Sequence, residues 1–589
     1  MLPMRVDGRV VGIWACFVAR LAFYSSMLPL WEGYDEWAHF SVIRNMAASH
    51  EALVERDAPV PRDVEASLQL APVPWEMRYL PPPWLTQDSY WSLPPEMRAR
   101  REAAFRAMPP AWSRQAGGGP FRAYEALQPP LYYWMMTPVE RLLGASSLAV
   151  QVMTLRWLSV LLASLAVPLV FAVGRLVLDE PLALGCAAIV ALMPGVALDV
   201  ARVGNDGLSI VLFSLLAWLA VRLVAHGWDL WRAAGLGFTL GLGLLTKAYF
   251  LTALPAFALL WLWELRHARG SNRPLRSCEI IAEIDGLTDE SVCPTLVRKG
   301  LPYGGAGAFA CHPVAARSRE DGRAMTVLHG LLAAAIGAGL AGWWYWRNLQ
   351  LTGTLSGLSE SVIIGHAGTL AMLRQAVSLN WAKAIDAILF SHLYFGGWSS
   401  LTVRSWMYHV FYLFILLAAV GLVRKACTRE TGALGVLYLA FWAGQCYNVV
   451  LLYMSKGLAG SMGWYLDAVV AAEVVLTVVG LRRILPARAA VLSGAVLFAL
   501  LDLYTVHFVG IPYYTGMIRH KAGGGVAALH AAGFRSVGLS GALSRLTAFK
   551  SVGGPVLLMF WLLYLGATFY LVFYPIWKRQ KTGTGFRGR

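Results

Sequence analysis

Trp31-Glu32-Gly33-Tyr34-Asp35-Glu36-Trp37-Ala38-His39-Phe40 follows an apolar run from about 10 to 30. About 20 apolar residues is the length a helix needs to cross the hydrocarbon of a bilayer, so the run reads as a membrane span. Two adjacent carboxylates then stand where lipid gives way to water. Packed among Trp31, Tyr34, Trp37 and Phe40, they sit in a half-apolar setting of the kind that perturbs acidity. Such a pair is a candidate catalytic acid or base; its plainer reading is a solvated helix cap.

Runs like the first recur along the chain. With 57% hydrophobic residues, 14% charged and mean hydropathy +0.54, the composition lies outside soluble globular usage. Predicted spans cover 10–30, 147–174, 181–200, 207–225, 233–246, 248–263, 326–346, 406–423, 432–454, 465–481, 489–509 and 554–576. The fold class is therefore an all-α polytopic membrane protein with about 12 transmembrane helices. Leu245-Thr246-Lys247-Ala248-Tyr249 interrupts one long apolar stretch, either as a tight turn between two helices or as a break in one. Arg20 lies inside the first span, where a charge costs about 2.5–3.5 kcal/mol at the centre, so it must face protein or water.

Lys and Arg in short loops mark the cytoplasmic side. Arg5, Arg9, Arg222, Arg232, Arg424, Lys425, Arg429, Arg482, Arg483, Arg488, Lys578, Arg579 and Lys581 fall on one side when the spans alternate. Both termini are then cytoplasmic, and Asp35-Glu36 faces outward. The chain divides into a first transmembrane helix (1–30), an extracytoplasmic loop with the acidic motif and interfacial helices (31–146), and helices 2–6 (147–263). A poorly ordered cytoplasmic loop (264–325), helix 7 (326–346) and a second outer loop (347–405) follow. Helices 8–11 (406–509), a third outer loop (510–553) and the last helix with its basic tail (554–589) complete it. The net charge of +16 resides mostly in cytoplasmic loops and the tail, which fits anionic lipid and topology and argues against nucleic acid.

The first run is long enough to span and lacks a small-residue cleavage site, so it reads as an uncleaved anchor in the plasma, or bacterial inner, membrane. Cys16, Cys186 and Cys446 fall in spans, whereas Cys278, Cys293, Cys311 and Cys427 fall in inner loops, which leaves no outer disulfide. The first three loop cysteines with His312 lack the short Cys pairs of zinc sites. Segment 31–146 holds 14 of the 34 acidic residues, is punctuated by Pro pairs, and at 96–108 has the pattern of an interfacial helix.

Other motifs meet the acidic pair on the outer side. Tyr124-Glu125-Ala126-Leu127-Gln128-Pro129-Pro130-Leu131-Tyr132-Tyr133 leads into the second span, with Pro-Pro holding the chain extended. Arg202-Val203-Gly204-Asn205-Asp206-Gly207 joins the third and fourth spans. Trp343-Trp344-Tyr345-Trp346-Arg347-Asn348 ends the seventh, and Gly463-Trp464-Tyr465-Leu466 opens the tenth.

In this order and sidedness the motifs resemble the GT-C superfamily of integral-membrane glycosyltransferases. The likeness covers roughly 10–480 and is greatest to the lipid-linked-sugar-dependent branch that includes protein O-mannosyltransferases and the aminoarabinose transferase of lipid A. The resemblance implies an inverting transfer from a polyprenyl-phosphate-linked sugar on the extracytoplasmic face, to an envelope lipid, polysaccharide or protein. It departs from the pattern at Gln128, where relatives often carry His or Lys, and at Trp464, where they often carry Arg.

Displacing a polyprenyl phosphate needs a base for the acceptor proton and cations for the departing phosphate. Asp35 is the candidate base, with Glu36 or Glu125 orienting sugar or acceptor. Lys247, Arg347, Arg404 and Lys456 are candidate phosphate contacts, and Gln128 and Tyr465 lie in the motifs that would line donor or acceptor. Interfacial snorkelling is the alternative for each cation. Asp206 with Asp35 and His39 offers ligands for magnesium, manganese or calcium, or Asn205-Asp206-Gly207 caps the fourth helix. The rival functions are a secondary transporter or lipid flippase, for which Asp502, Glu473 and Lys247 would be intramembrane charges, and a degenerate noncatalytic relative.

Overall fold

The computed structural model describes residues 7–267, 311–365, 367–521 and 524–577. Among the described residues the regular elements are all helical, joined by isolated bridges. Ten helices are long and apolar enough to cross a membrane, or eleven if the bent pair Glu180–Leu192 and Pro194–Val200, at 60°, is one span. They follow the predicted order. The exception is the span predicted at 233–246, which is a helix of only 15 residues, Leu230–Leu244. At 1.5 Å per residue this falls well short of a bilayer. The interruption at 245–249 is therefore a turn between separate helices, with the backbone extended at Lys247. The short helix packs backbone to backbone on its neighbour, because a Cβ on Gly237 would lie 2.4 Å from the Ala333 carbonyl oxygen. Small residues are the usual means of such close approach.

That neighbour is longer than predicted. Helix Cys311–Thr352 runs past both ends of the expected 326–346 span and includes the last part of the loop expected to be poorly ordered. The cysteines at 278 and 293, the side chains of Cys311 and His312, and the basic residues beyond Trp577 lie outside the described residues.

Helix α1 (Gly8–Met27) places Arg20 against Asp502 of helix Ala487–Tyr504, with Nη2 2.6 Å from Oδ1 and both side chains fully buried. Tyr24 and Tyr564 each donate to the Asp502 carboxylate at 2.6 Å. An unpaired charge at this depth would be expelled or neutralised, so the cation and its acid are obligate partners. This pair ties the first span to the last two, and it accounts for Asp502 without any transport path.

The segment after α1 forms α2 (Glu36–Ser49), α3 (Arg62–Leu70), α4 (Gln87–Tyr90), α5 (Pro95–Arg106) and α6 (Leu131–Leu142), and then enters the membrane through α7 (Leu148–Ser164). Helix α5 lies where the interfacial pattern placed it, buries Phe105 and exposes Arg100 and Arg106, while Arg98 and Arg101 are half-buried. Replacing Asp502 by Leu strands Arg20 and is expected to lower stability by about 3–5 kcal/mol. The double replacement with Arg20→Met should recover most of that loss, as read by thermal unfolding in detergent.

Candidate active site

Between α1 and α2 the chain turns sharply, with Trp31 (φ 65°) and Asp35 (φ 55°) both in the left-handed region. Such backbone persists only where neighbours hold it. Two buried carboxylates do so. Glu32 accepts from the Ser399 N–H and hydroxyl, each at 3.0 Å, and burial pushes its pKa up to about 8. Glu36, 0% exposed, pairs with Arg156 through two bonds of 2.7 and 2.6 Å and also accepts from the Val203 N–H at 3.0 Å. Arg156 in turn donates to the carbonyls of Ser25, Leu28 and Pro29. Gly33 completes the turn, because a Cβ there would lie 2.6 Å from the Arg202 side chain.

Asp35 is what this scaffold leaves free. Its carboxylate makes no cap bond to α2 and accepts only from the Tyr124 hydroxyl. Burial raises its pKa above the usual range, against the Tyr124 bond and the charges of Arg202 and Lys247, which lower it. Glu125 is pushed up to about 8 by burial and by the nearby Asp35 charge. His39, bonded at 2.9 Å to the Tyr133 hydroxyl, is held well below its usual range by burial and by Arg202 and Lys247. Burial thus favours the neutral form of Glu125 and of the imidazole, while the Tyr124 bond and the charges of Arg202 and Lys247 favour the ionised form of Asp35.

Beneath them lies a charge network. Arg202 donates to Asp199 at 2.8 Å and to Asp206 at 2.5 Å, and Lys247 pairs with the other Asp206 oxygen. Each Asp206 oxygen thus meets one cation. Among the described residues no group of three His, Cys, Asp or Glu lies in an arrangement that could hold a metal ion. Nor does the motif cap its helix through a side chain. Asn205 turns its amide to the Thr246 carbonyl at 3.1 Å instead. Two nitrogens of Arg202, Nε and Nη1, remain buried without a partner, as does Gln128 Oε1.

The other predicted residues divide. Tyr465 lies with Lys247, whose ammonium is 5.6 Å from its ring centre. Arg347 stacks on Trp344 at 5.2 Å and lies near Arg56, whose pKa is lowered by burial and by the Arg347 charge. Arg404 is exposed at the start of helix Ser405–Arg424. Lys456 is half-exposed and bound to Glu360 at 2.6 Å. Glu36, expected to act beside Asp35, is fully buried and paired with Arg156. Trp464, the departure from the family pattern, stacks on Tyr34 at 3.8 Å and 15° and is flanked by Trp398. Arg202 covers Tyr34 at 5.6 Å. An arginine at 464 would face a second guanidinium across that ring.

Sequence reasoning missed four participants. Arg202 stands in a motif quoted for its Asn-Asp. Tyr124 precedes the glutamate that drew attention. Arg156 is one charge in an apolar run, a signal that could have found it. His392 is paired with Asp467 at 3.1 Å and Glu473 at 2.9 Å, which binds helix Trp381–Leu393 to the tenth predicted span.

The family described as dolichyl-phosphate-mannose-protein mannosyltransferase matches residues 127–275, a stretch that holds Gln128, Arg202, Asp206 and Lys247. No curated protein matches the chain. Among solved structures, ArnT from Cupriavidus metallidurans bound to undecaprenyl phosphate is similar at 12% identity and TM-score 0.45, over 96% of this chain and 77% of that one. The archaeal oligosaccharyltransferase AglB from Archaeoglobus fulgidus, in complex with an inhibitory peptide and a dolichol-phosphate, is similar at 13% identity and TM-score 0.36, over 95% and 56%. The family model covers 149 of the chain's 589 residues, about a quarter of it. Glu36→Gln, which unbalances Arg156 in the interior, is expected to cost about 3 kcal/mol or more in unfolding experiments. Asp35→Asn should unfold like the parent.

Proposed function

We propose that the chain is an inverting membrane glycosyltransferase that moves a sugar from a polyprenyl-phosphate-linked donor to an acceptor hydroxyl on the extracytoplasmic face, with Asp35 as general base. The observation that carries this reading is the isolation of Asp35. Every other buried carboxylate around it is paired with a cation, bonded to Ser399 or protonated, while Asp35 keeps one oxygen unbonded. The family matched over 127–275 is named for transfer from a dolichyl-phosphate sugar, which agrees in donor class.

In this mechanism Asp35 accepts the proton of the acceptor hydroxyl. The freed oxygen attacks the anomeric carbon as its bond to the phosphate oxygen breaks, and the electron pair leaves with the phosphate. The charge that develops there needs donors already in place. Arg202 has two nitrogens free, and Lys247 has hydrogens beyond the one directed at Asp206. Arg347 and Arg56 are further cations for the leaving group. Protonated Glu125 offers a hydrogen bond to sugar or acceptor, and the free Gln128 oxygen offers an acceptor for a sugar hydroxyl. The acceptor is an envelope lipid, polysaccharide or protein.

Asp35→Asn should reduce transfer from a polyprenyl-phosphate sugar by about 10²- to 10⁴-fold without loss of folded protein. Undiminished transfer in that variant would refute the assignment. Because the base acts when ionised, the rate should fall as pH drops through its raised pKa. The Tyr124 bond holds that pKa down, so Tyr124→Phe should move the acid limb of the pH–rate profile upward.

A further inference from the structure

His392 is 2% exposed near the end of helix Trp381–Leu393 and takes no part in the chemistry proposed above. Its Nε2 lies 2.9 Å from Glu473 Oε1 and its Nδ1 3.1 Å from Asp467 Oδ1. Burial works against a charge on the ring, but the Glu473 and Asp467 carboxylates outweigh it and hold the His392 pKa well above the usual range. A helix of the second outer loop is thereby held to the turn Gly463–Val469 and to the helix that follows it, Val470–Arg482.

The backbone beside His392 is built for the same contact. Ser391 Oγ accepts from the Gly463 N–H at 2.7 Å. Gly463 has to be a glycine, because a Cβ there would run into the Ile388 carbonyl. Gly195 comes almost as close, since its Cβ would lie 2.5 Å from the His392 carbonyl oxygen. That glycine stands in helix Pro194–Val200, which leads through Asp199 to Arg202. One end of the loop helix therefore holds the turn of Trp464 and Tyr465 and abuts the segment that carries Arg202.

Further along, the same stretch of chain holds the other side of the site. The Tyr34 hydroxyl donates to the Phe395 carbonyl, and the Trp398 N–H donates to the Glu32 carbonyl at 3.3 Å. Ser399 gives its N–H and its hydroxyl to the Glu32 carboxylate. Residues 391–399 are thus bonded at one end to the Gly463 turn and at the other to the left-handed turn that ends in Asp35. Between the two ends, Tyr34 and Trp464 stack face to face. The base stands on one of these turns, and Lys247 lies against Tyr465 of the other.

We propose that residues 391–399 are a strap that sets the register between Asp35 and the Lys247–Tyr465 side of the site, with His392 as its anchor and a positioning residue for the transfer. This rests on the function proposed above. A buried ion pair adds little net stability over apolar packing, but a ring fixed between two carboxylates admits one register where an apolar side chain admits several. Reacting groups need that register, because a displacement of about 1 Å can cost about 10²-fold in rate.

The test uses the full chain in detergent and reads amide hydrogen exchange beside donor kinetics. His392→Gln removes the cation from between two carboxylates. Ser391→Ala removes only the bond to Gly463, and it carries the test if His392→Gln fails to fold. In a folded variant, exchange should quicken roughly tenfold in both 32–36 and 463–466, while α1 and the last span keep the parent's rates. The kcat for transfer from a polyprenyl-phosphate sugar should fall about 10- to 100-fold with donor KM within about twofold of the parent, as expected when groups are displaced and not removed. Quickened exchange confined to 463–466 would overturn the strap. An unchanged kcat, or a rise in KM alone, would overturn the positioning role. A parent without sugar transfer would refute the function proposed above, whereas exchange decides the strap without any catalysis.

Discussion

The bidentate pair of Glu36 and Arg156 is the interaction on which the rest of the site depends. Arg156 projects from a membrane helix and, besides Glu36, collects three carbonyls from the last turn of α1 and the residues after it. One guanidinium thereby fixes where the first span ends and where α2 begins. Glu36 adds the Val203 N–H and so brings in the Arg202–Asp206 segment. An ion pair removed from water repays its desolvation only when its remaining hydrogen-bond capacity is filled, and here it is filled by backbone that must be positioned for Asp35 to point into the site.

The same economy of charge recurs through the molecule. Arg20 with Asp502, Arg44 with Asp63 and Glu140, Arg202 with Asp199 and Asp206, and His392 with Asp467 and Glu473 each remove a buried charge by pairing it. Intramembrane charges that would suggest an ion pathway in an unpartnered chain are fasteners between helices here. Against that background a buried group without a partner is informative. Asp35 stands out in this respect, since its carboxylate meets the Tyr124 hydroxyl and no cation within bonding distance among the described residues.

Trp464 shows how a departure from a family pattern can be absorbed. Arg202 already lies over one face of Tyr34, and the indole stacks on that ring as part of a cluster with Trp398 and Phe395. Aromatic stacking holds Tyr34 where it is, one residue before Asp35. The neutral Gln128 is similar in kind, since its free oxygen belongs to a site whose other polar groups are mostly donors.

Composition and apolar periodicity determined the helical membrane fold, the order of the spans and the gathering of acidic residues in the first loop, because bilayer thickness imposes a length and a polarity that any sequence must display. Motif order brought Asp35, Glu125, Asp206 and Lys247 to one face. Only the tertiary structure decided which groups each of them meets there. Asp35 and Glu36 are neighbours of identical chemistry, yet a left-handed turn at Asp35 directs one toward the site and the other into Arg156, 120 residues away. Whether a carboxylate is a base, a fastener or a neutral donor depends on which charges lie within a few ångströms of it, and that is a property of the fold.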